Sequence, residues 1–330
     1  MRLIFLGTPA FAIPSLSRLL EVGHDVTHVV TQPDRPAGRG KRLRSPAVKQ
    51  VAGEASLPIL QPANIRDPEV VTSLRATRPD VLVVVAFGQI VSRAILEIPP
   101  KGCLNVHASL LPKYRGPAPI PWALIRGETV TGVTIMEMVE AVDSGPILLQ
   151  WKAPISAEDN AGTLHDRLAV LGADALIETL RAVERGEVTK TPQDEAEATY
   201  APKLPPDLGR LTWSSSATDL WNLVRGLAPE PGAVTFFRGR MVRVLGAQPL
   251  PRDHRESPGT IVGVLKGVGI QVATGNGTLV LTTLQPEGKR VMTAEEFARG
   301  YRAEVGSAFA STREESTTPR PGASRPGRAR

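Results

Sequence analysis

The chain has 330 residues, of which 42% are hydrophobic, and it carries a formal net charge of +6. Its length and composition are enough for about two domains with cores of their own, and the basic balance favours an anionic partner. One cysteine, Cys103, excludes an internal disulfide framework and gives no cysteine-rich metal site. No apolar run reaches membrane-spanning length, and Met1 leads into a strand without a signal-peptide layout, so we expect a cytoplasmic protein.

Strands and helices alternate over residues 1–188, which is typical of a doubly wound, Rossmann-like α/β domain. A strand at 3–6 turns at Gly7 into a helix capped by Thr8, without the Gly-x-Gly-x-x-Gly fingerprint of dinucleotide-binding domains. The run 80–86 is almost continuously apolar, as in a parallel strand covered on both faces. We therefore assign residues 1–188 to a first domain.

A cationic loop interrupts this pattern between residues 32 and 45. It has one aspartate, Asp34, and a net charge of +4 from Arg35, Arg39, Lys41, Arg42 and Arg44. A solvated charged surface is one interpretation. A second interpretation is that the loop neutralises the phosphates of a folded nucleic acid, because it is predicted to lie near the ligand-binding edge of the sheet.

Three polar residues are predicted to meet at the same edge. Asn105 and His107 project the same way from a short buried strand that begins at Cys103, since side chains alternate along a strand. A second strand at 133–138 is followed by a loop that carries Asp143. Loops leaving the carboxyl ends of strands form the ligand crevice of an open α/β sheet, so we expect Asp143 to approach His107 from the neighbouring strand.

This trio suits attack on a carbonyl carbon by a nucleophile that the substrate supplies. Asn105 donates to a developing oxyanion, His107 moves a proton or donates when protonated, and Asp143 orients and stabilises the imidazole. Ser109 is the alternative nucleophile, but it lacks a Gly-x-Ser-x-Gly elbow, so a serine hydrolase is the weaker interpretation.

The remaining chain changes character. Four prolines mark 189–206 as a linker, and about five short strands in 207–305 predict a small barrel, best described as OB-like, with a capping box at Thr293 and Glu296. Residues 306–330 are rich in Ser, Thr, Pro, Gly and Arg, which predicts a disordered tail.

Several motifs occur in a fixed order and argue against chance agreement. They are Asn105-x-His107, Ser109-Leu110-Leu111-Pro112, Arg115-Gly116, Thr131-Gly132-Val133-Thr134 and Asp143-x-Gly145, preceded by Gly7-Thr8-Pro9-Ala10-Phe11-Ala12 and by the run from Gln32 to Lys41. Together they resemble the folate-dependent formyltransferases. The two stretches nearest the start of the chain, Gly7 to Ala12 and Gln32 to Lys41, resemble in particular the members that act on an aminoacylated tRNA. The resemblance extends to about residue 303.

The resemblance implies formyl transfer from 10-formyltetrahydrofolate to the α-amine of methionine on initiator tRNA, with Asn105, His107 and Asp143 as catalytic residues. It further implies that folate lies against Ser109, Leu110, Leu111 and Pro112 and near Phe87 and Gly88, and that the cationic loop reaches the acceptor arm, with Arg39 as its best probe. No metal is expected, because the amine is already a nucleophile, and a monomer is expected.

Some alternatives stay open from the sequence. Phe87 is either pocket lining or core, and Arg115 is either a surface cation or a ligand for folate or RNA phosphate. A small-molecule formyltransferase would share the trio but have little use for the cationic loop and the barrel. A folate-dependent hydrolase would use water as nucleophile, and a non-enzymatic RNA-binding protein would leave the trio without purpose.

Overall fold

Residues 1–37, 42–251 and 253–317 are described by a computed structural model, in which contacts divide the chain into two units. The first unit comprises Met1–Trp122, Thr129–Ala157 and Thr163–Lys203. The second comprises Ala123–Glu128, Glu158–Gly162 and the described residues from Leu204 onward. The division is therefore not a single cut, because two short segments of the first half belong to the second unit.

The elements of residues 1–203 alternate as predicted. The strands are β1 (Arg2–Gly7), β2 (Asp25–Val30), β3 (Arg35–Ala37), β4 (Arg42–Arg44), β5 (Ile59–Leu60), β6 (Val81–Val85), β7 (Cys103–His107), β8 (Val130–Glu137) and β9 (Ile147–Pro154). The helices are α1 (Ile13–Glu21), α2 (Ala47–Glu54), α3 (Pro68–Ala76), α4 (Arg93–Leu96), α5 (Pro119–Ile125) and α6 (Ala161–Arg185).

One seven-stranded sheet has the order β5-β2-β1-β6-β7-β8-β9, and its first five strands are parallel. On one face, Ile4, Leu82 and Cys103 pack with Leu74 of α3 and Ile95 of α4. On the other face α6 approaches β7 closely, since a Cβ at Gly172 would lie 2.7 Å from Val106 Cγ1. Helices thus cover both faces, and the Rossmann-like prediction for this domain is confirmed.

The direction of β8 differs from the prediction. It runs antiparallel to β7, pairing His107 with Thr134 and Leu104 with Glu137. The carboxyl end of β8 therefore lies beside the start of β7 and not beside His107. The loop that carries Asp143 must fold back to reach His107, so the reason given for their approach was wrong although the approach itself occurs.

Thr8 and Ser45 do not cap helices through their side chains. Ala10–Ala12 is a 3-10 turn before α1, and the Thr8 hydroxyl donates to the Phe87 carbonyl at 2.8 Å. The Ser45 hydroxyl donates to Asp34 at 3.1 Å, while α2 begins after Pro46 without a side-chain cap. Both hydroxyls tie loops at the ligand-facing edge instead.

The second unit is built mainly of antiparallel strands. Its elements are α7 (Ala217–Leu227), β10 (Ala233–Phe237), β11 (Arg240–Leu250), β12 (Ile261–Leu265), β13 (Gly269–Ala273), β14 (Thr278–Pro286), β15 (Met292–Thr293), α8 (Ala294–Tyr301), β16 (Phe309–Ala310) and α9 (Arg313–Thr317). The turn between β10 and β11 has φ of +49° at Arg238 and +75° at Gly239, as a two-residue hairpin requires. The predicted capping box of Thr293 and Glu296 is confirmed at the start of α8.

The edges of this second sheet are joined. Its strands follow the order β12-β13-β14-β11-β10-β16. Ile261 N donates to Ser307 O at 2.7 Å, and Phe309 N donates to Gly259 O at 2.8 Å. The chain around β16 therefore bridges β10 and the start of β12, and it encloses an apolar core with Phe237, Phe297 and Phe309.

Two predicted boundaries need correction. Residues 306–317 are not a tail, because Phe309 is fully buried in the second sheet and α9 follows it; 318–330 lie outside the described residues. The predicted linker, residues 189–206, belongs largely to the first unit, since Thr191 pairs with Ile147 and Ala201 with Arg115. We call 189–206 the connector. Among the described residues, no helix is long and apolar enough to span a bilayer.

Candidate active site

The end of β7 places two polar side chains inside the protein. Asn105 is 9% exposed and His107 is 6% exposed, and both lie on the face opposite Val106. Within the described part of the chain, no hydrogen bond engages the Asn105 amide. Its N–H groups are therefore available to a ligand that enters beside His107.

Oxygen atoms face both ring nitrogens of His107. Nε2 lies 2.9 Å from the Tyr114 carbonyl oxygen, which can only accept, so Nε2 carries a hydrogen and donates. Nδ1 lies 3.7 Å from Asp143 Oδ2, within ion-pair range but too far for a hydrogen bond. In the described part of the chain no hydrogen bond engages Nδ1, so a doubly protonated ring can donate from Nδ1 to a bound substrate while the nearby Asp143 carboxylate stabilises the positive charge of the ring.

The Asp143 loop folds back from the end of β8 to reach His107. Gly145 permits the tight return, because a Cβ there would lie 1.8 Å from the Glu137 carbonyl oxygen. Asp143 adopts the left-handed backbone conformation, with φ of +51°, which aspartate tolerates better than most residues. Its Oδ2 accepts a hydrogen bond of 2.8 Å from Gly116 N, so the carboxylate is held against the loop that follows β7.

The loop after β7 supplies partners that sequence reasoning did not identify. Tyr114 holds His107 through its carbonyl, and Gly116 holds Asp143 through its amide. Both have positive φ, +62° and +112°, and a Cβ at Gly116 would lie 2.8 Å from Ala201 O. The Arg115-Gly116 motif was the signal: a glycine required by a close backbone approach.

Ser109 has a structural contact instead of a nucleophile's environment. Its hydroxyl donates to Lys113 O at 2.6 Å, and Thr134 donates to the Ser109 carbonyl at 2.6 Å. Gln150 donates to Leu111 O at 2.7 Å. The turn through Leu110 and Pro112 is thereby tied to β8 and β9, which favours the acyl-transfer interpretation over the serine hydrolase.

A cavity of about 340 Å³ brings two groups of predicted ligand residues together. Its lining combines Gly88, from the predicted folate set, with Arg35, from the predicted RNA set; the other lining residues are Gln32, Ala63, Asn64, Arg66, Gln89 and Ile90. None of the catalytic trio lines it. Phe87 is 2% exposed and packs in the core with Leu6 and Val84, so its side chain is core.

The cationic loop is a short hairpin anchored at its base. β3 and β4 pair Arg35 with Arg44. Asp34, just before β3, accepts from Lys49 Nζ at 2.8 Å, from Gln61 at 2.8 Å and from Ser45, just after β4, at 3.1 Å. These bonds, from Lys49 and Gln61 above all, lower the pKa of the Asp34 carboxyl below its ordinary value.

The structure describes three of the five cationic residues that were predicted to bind RNA. Arg35 and Arg44 are exposed. The backbone of Arg42 lies in β4, while Arg39 and Lys41 lie outside the described residues.

Arg115 fits neither predicted alternative. It is 2% exposed and forms an ion pair of 2.8 Å with Glu195 of the connector. It is therefore a buried cation with a carboxylate partner. Cys103 is also buried, and desolvation raises the pKa of its thiol to about 12, as expected of the packed, inert thiol that its strand position predicts. No cluster of His, Cys, Asp or Glu suited to a metal ion occurs among the described residues.

Comparisons with known proteins identify the family of the chain. Residues 1–180 match the family model Formyl transferase, and 203–302 match Formyl transferase, C-terminal domain. The methionyl-tRNA formyltransferase of Syntrophus aciditrophicus is 46% identical over 305 residues, covering 92% of this chain and 97% of that one. The enzyme of the same name from Moorella thermoacetica is 46% identical over 301 residues, covering 91% and 96%.

Solved structures share the fold at lower identity. HypX of Aquifex aeolicus, in complex with tetrahydrofolic acid, aligns with a TM-score of 0.64 at 19% identity, over 92% of this chain and 48% of that one. The sugar 3N-formyl transferase WlaRD, solved in the presence of dTDP and 5-N-formyl-THF, also has a TM-score of 0.64, at 16% identity over 88% and 99%. With these matches over nearly its whole length, the chain belongs to the formyl transferase family.

Proposed function

We propose that the protein transfers the formyl group of 10-formyltetrahydrofolate to the free amino group of methionyl initiator tRNA, giving N-formylmethionyl-tRNA for translation initiation. The observation that carries the proposal is the convergence of Asn105 and His107, from one strand, with Asp143, from one loop, around a position suited to an acyl carbon. The relatives that match 92% of the chain are named for the same reaction. Initiation takes place in the cytoplasm, so we expect the protein to act there, as a monomer.

The residues divide the chemistry between them. The amine nitrogen forms a bond to the formyl carbon, and the carbonyl oxygen becomes an oxyanion that Asn105 and protonated His107 stabilise by donating to it. The bond from that carbon to the folate nitrogen then breaks, while a proton leaves the amine and reaches the departing nitrogen with the help of the imidazole. Asp143 supports the positive charge on His107 during these steps.

In this proposal the folate lies against the turn that follows β7 and in the cavity beside Gly88. Backbone groups of Ser109, Leu110, Leu111 and Pro112 form a turn held by β8 and β9, which would border the ligand. The cavity beside Gly88 has about 340 Å³ of space and amide side chains from Gln32, Asn64 and Gln89, within the usual range for a small-molecule site. Phe87 would take part through its backbone, since its side chain is core.

The basic hairpin and the second unit supply the RNA-binding surfaces in this proposal. Arg35, Arg39, Lys41, Arg42 and Arg44 would neutralise phosphates of the acceptor arm. The strands of the second unit, joined edge to edge by residues 307–309, support an OB-like barrel, an architecture that serves oligonucleotide binding in many proteins. An aminoacylated RNA would thus contact the basic hairpin while its amine lies at the trio, and the second unit would supply a further RNA-binding surface.

Acceptor choice tests the proposal directly. Purified protein and 10-formyltetrahydrofolate are incubated with methionyl initiator tRNA, methionyl elongator tRNA, free methionine or a nucleotide-linked amino sugar. We expect rapid formylation of the initiator tRNA only. Faster formylation of the amino sugar, or hydrolysis of the donor without any acceptor, would contradict the proposal and indicate one of the alternative activities.

Ionic strength tests the role of the hairpin. Neutralised phosphates release counterions, so kcat/KM for the tRNA should fall steeply as salt rises. Arg44→Ala should reduce the slope of log(kcat/KM) against log[salt] by about the amount that a single phosphate contact contributes. Glu97→Ala, in an exposed pair with Arg93 on α4, is the matched control and should leave the slope unchanged.

A further inference from the structure

The connector contacts both loops that hold the catalytic trio. Thr191 exchanges two hydrogen bonds with Ile147 at the start of β9, of 2.8 and 2.9 Å. Thr199 accepts from Arg115 N at 2.8 Å through its carbonyl and from Tyr114 N at 2.9 Å through its hydroxyl. The connector therefore extends from the Asp143 loop, which precedes β9, to the loop that binds His107.

Gln193 lies between these two attachments and uses its whole amide. Its Nε2 donates to the carbonyl oxygens of Asp143 and Gly145, at 2.8 and 2.7 Å. Its Oε1 accepts from Arg115 Nε and Nη2, at 3.0 and 2.8 Å. The orientation of the amide is thereby determined, because a flipped amide would set its oxygen against two carbonyls and its NH₂ against a cation.

An ion pair between buried Arg115 and exposed Glu195 keeps Gln193 in place. Arg115 donates to both carboxylate oxygens of Glu195, at 2.9 and 2.8 Å. These bonds lower the pKa of the Glu195 carboxyl, so it stays ionised at neutral pH. The guanidinium is thus aligned by one connector residue while it binds the amide of another, two positions earlier.

We propose that Gln193 is a positioning residue for formyl transfer: it holds the carbonyls on both sides of Ser144, keeps Asp143 in its left-handed conformation and so sets the distance from the carboxylate to His107. The inference rests on the proposed function only in assigning the catalytic role to His107 and Asp143. Gln193 itself touches neither ring nor carboxylate oxygen in the contacts that the structure gives it.

Gln193→Glu isolates this role. The new carboxylate still accepts from Arg115, but it sets an oxygen against two carbonyl oxygens where an NH₂ had donated to both. The loop must move to relieve this repulsion. Misplacement by about 1 Å costs up to about 100-fold in rate, so we expect kcat to fall by about 10- to 100-fold. KM for tRNA and for folate should change by less than about twofold, since neither binding surface is altered.

Glu197→Gln is the matched control. Glu197 is an exposed residue of the connector, and its replacement leaves the bonds that Gln193, Arg115 and Glu195 make with one another in place, so we expect kcat within about twofold of wild type. A second measurement does not depend on turnover: the ¹⁵N chemical shifts of the His107 ring nitrogens, assigned by comparison with His107→Gln. These shifts should move in Gln193→Glu and stay at wild-type values in Glu197→Gln.

Two results would overturn the inference: wild-type kcat and ring shifts in Gln193→Glu, or an equal loss of kcat in Glu197→Gln. If Gln193→Glu does not fold, Gln193→Met, which neither donates nor accepts, is judged by the same two measurements. Absence of formyl transfer by the wild-type protein would contradict the proposed function alone, because the ring shifts would still decide whether Gln193 positions His107.

Discussion

The catalytic cluster and the basic hairpin of the same unit are held in opposite ways. His107, Asp143 and their partners lie inside, and each polar group is contacted from more than one direction. The hairpin is exposed and is anchored at its base, where Asp34 joins Ser45, Lys49 and Gln61. The difference follows from what each region does in the proposed reaction: charge stabilisation depends on distances of a few tenths of an ångström, whereas phosphate neutralisation acts over several ångströms.

Removing the imidazole is the most severe way to test the catalytic side of this comparison. We expect His107→Ala to lower kcat by about 10²- to 10³-fold, since a donor to the developing oxyanion is lost. KM for tRNA should stay within about twofold. The measurement is steady-state formylation of methionyl initiator tRNA, with circular dichroism to verify folding.

His254→Ala is the control for that variant. His254 is a half-buried histidine of the second unit whose Nδ1 lies 3.1 Å from Glu256 O, and its removal should leave kcat unchanged. An unaffected rate in His107→Ala would show that the cluster is structural and would remove the basis of the comparison.

Asp143→Asn separates charge from hydrogen bonding in the cluster. An amide oxygen can still accept from Gly116 N, but the negative charge beside His107 Nδ1 is gone. We expect kcat to fall by about 100-fold with folding retained. A rate equal to wild type in the same assay would mean that only the hydrogen bond to Gly116 matters.

Asp34→Ala tests the hairpin side. The anchoring carboxylate has a lowered pKa, so its contribution is complete above the ordinary carboxyl pKa and is lost only as pH falls through the lowered value. At neutral pH the variant should therefore lose the full anchor. We expect KM for tRNA to rise by about fivefold with kcat at saturating tRNA unchanged. A fall in kcat at saturating tRNA would instead show that the hairpin helps to position the catalytic residues.

The smallest effect is expected for alkylation of Cys103, which compares an apolar and a polar part of the same strand, β7. It lies on the same face of β7 as His107, four residues earlier, where the packing is apolar. With a pKa of about 12, only about one thiol in 10,000 is ionised at pH 8. Iodoacetamide at pH 8 should therefore leave the native protein unlabelled and fully active, and should label it after unfolding in guanidinium. Rapid native labelling would show that this face opens.

Local sequence patterns predicted most of the elements because those elements depend on local physics. The apolar run at Val81–Val85 became a buried parallel strand, and Thr293 with Glu296 formed the capping box. Alternation along β7 placed Asn105 and His107 on one face. The direction of β8 was wrong, since an apolar strand pairs equally well either way and only the fold of the following loop distinguishes the two.

Contacts between distant segments were the part that sequence reasoning missed. Nothing local marks Gln193, because an amide between a proline and an aspartate is ordinary in a linker, and its partners Arg115 and Asp143 are 78 and 50 residues away. Phe309 was assigned to a disordered tail for a similar reason. The composition around it is polar, although the two-residue strand β16 that contains it pairs with β10 in the second sheet.

The attachment of the connector determines where the chain tolerates being divided. A fragment ending at residue 188, just past α6, would lack Gln193, Glu195 and Thr199 and would leave the Arg115 guanidinium buried without its counter-ion. A fragment ending after Lys203 retains all of these bonds. Chimeras that exchange the C-terminal half between related enzymes should therefore be spliced after residue 203, so that each formyl-transferring half keeps the connector residues that bind its own loops.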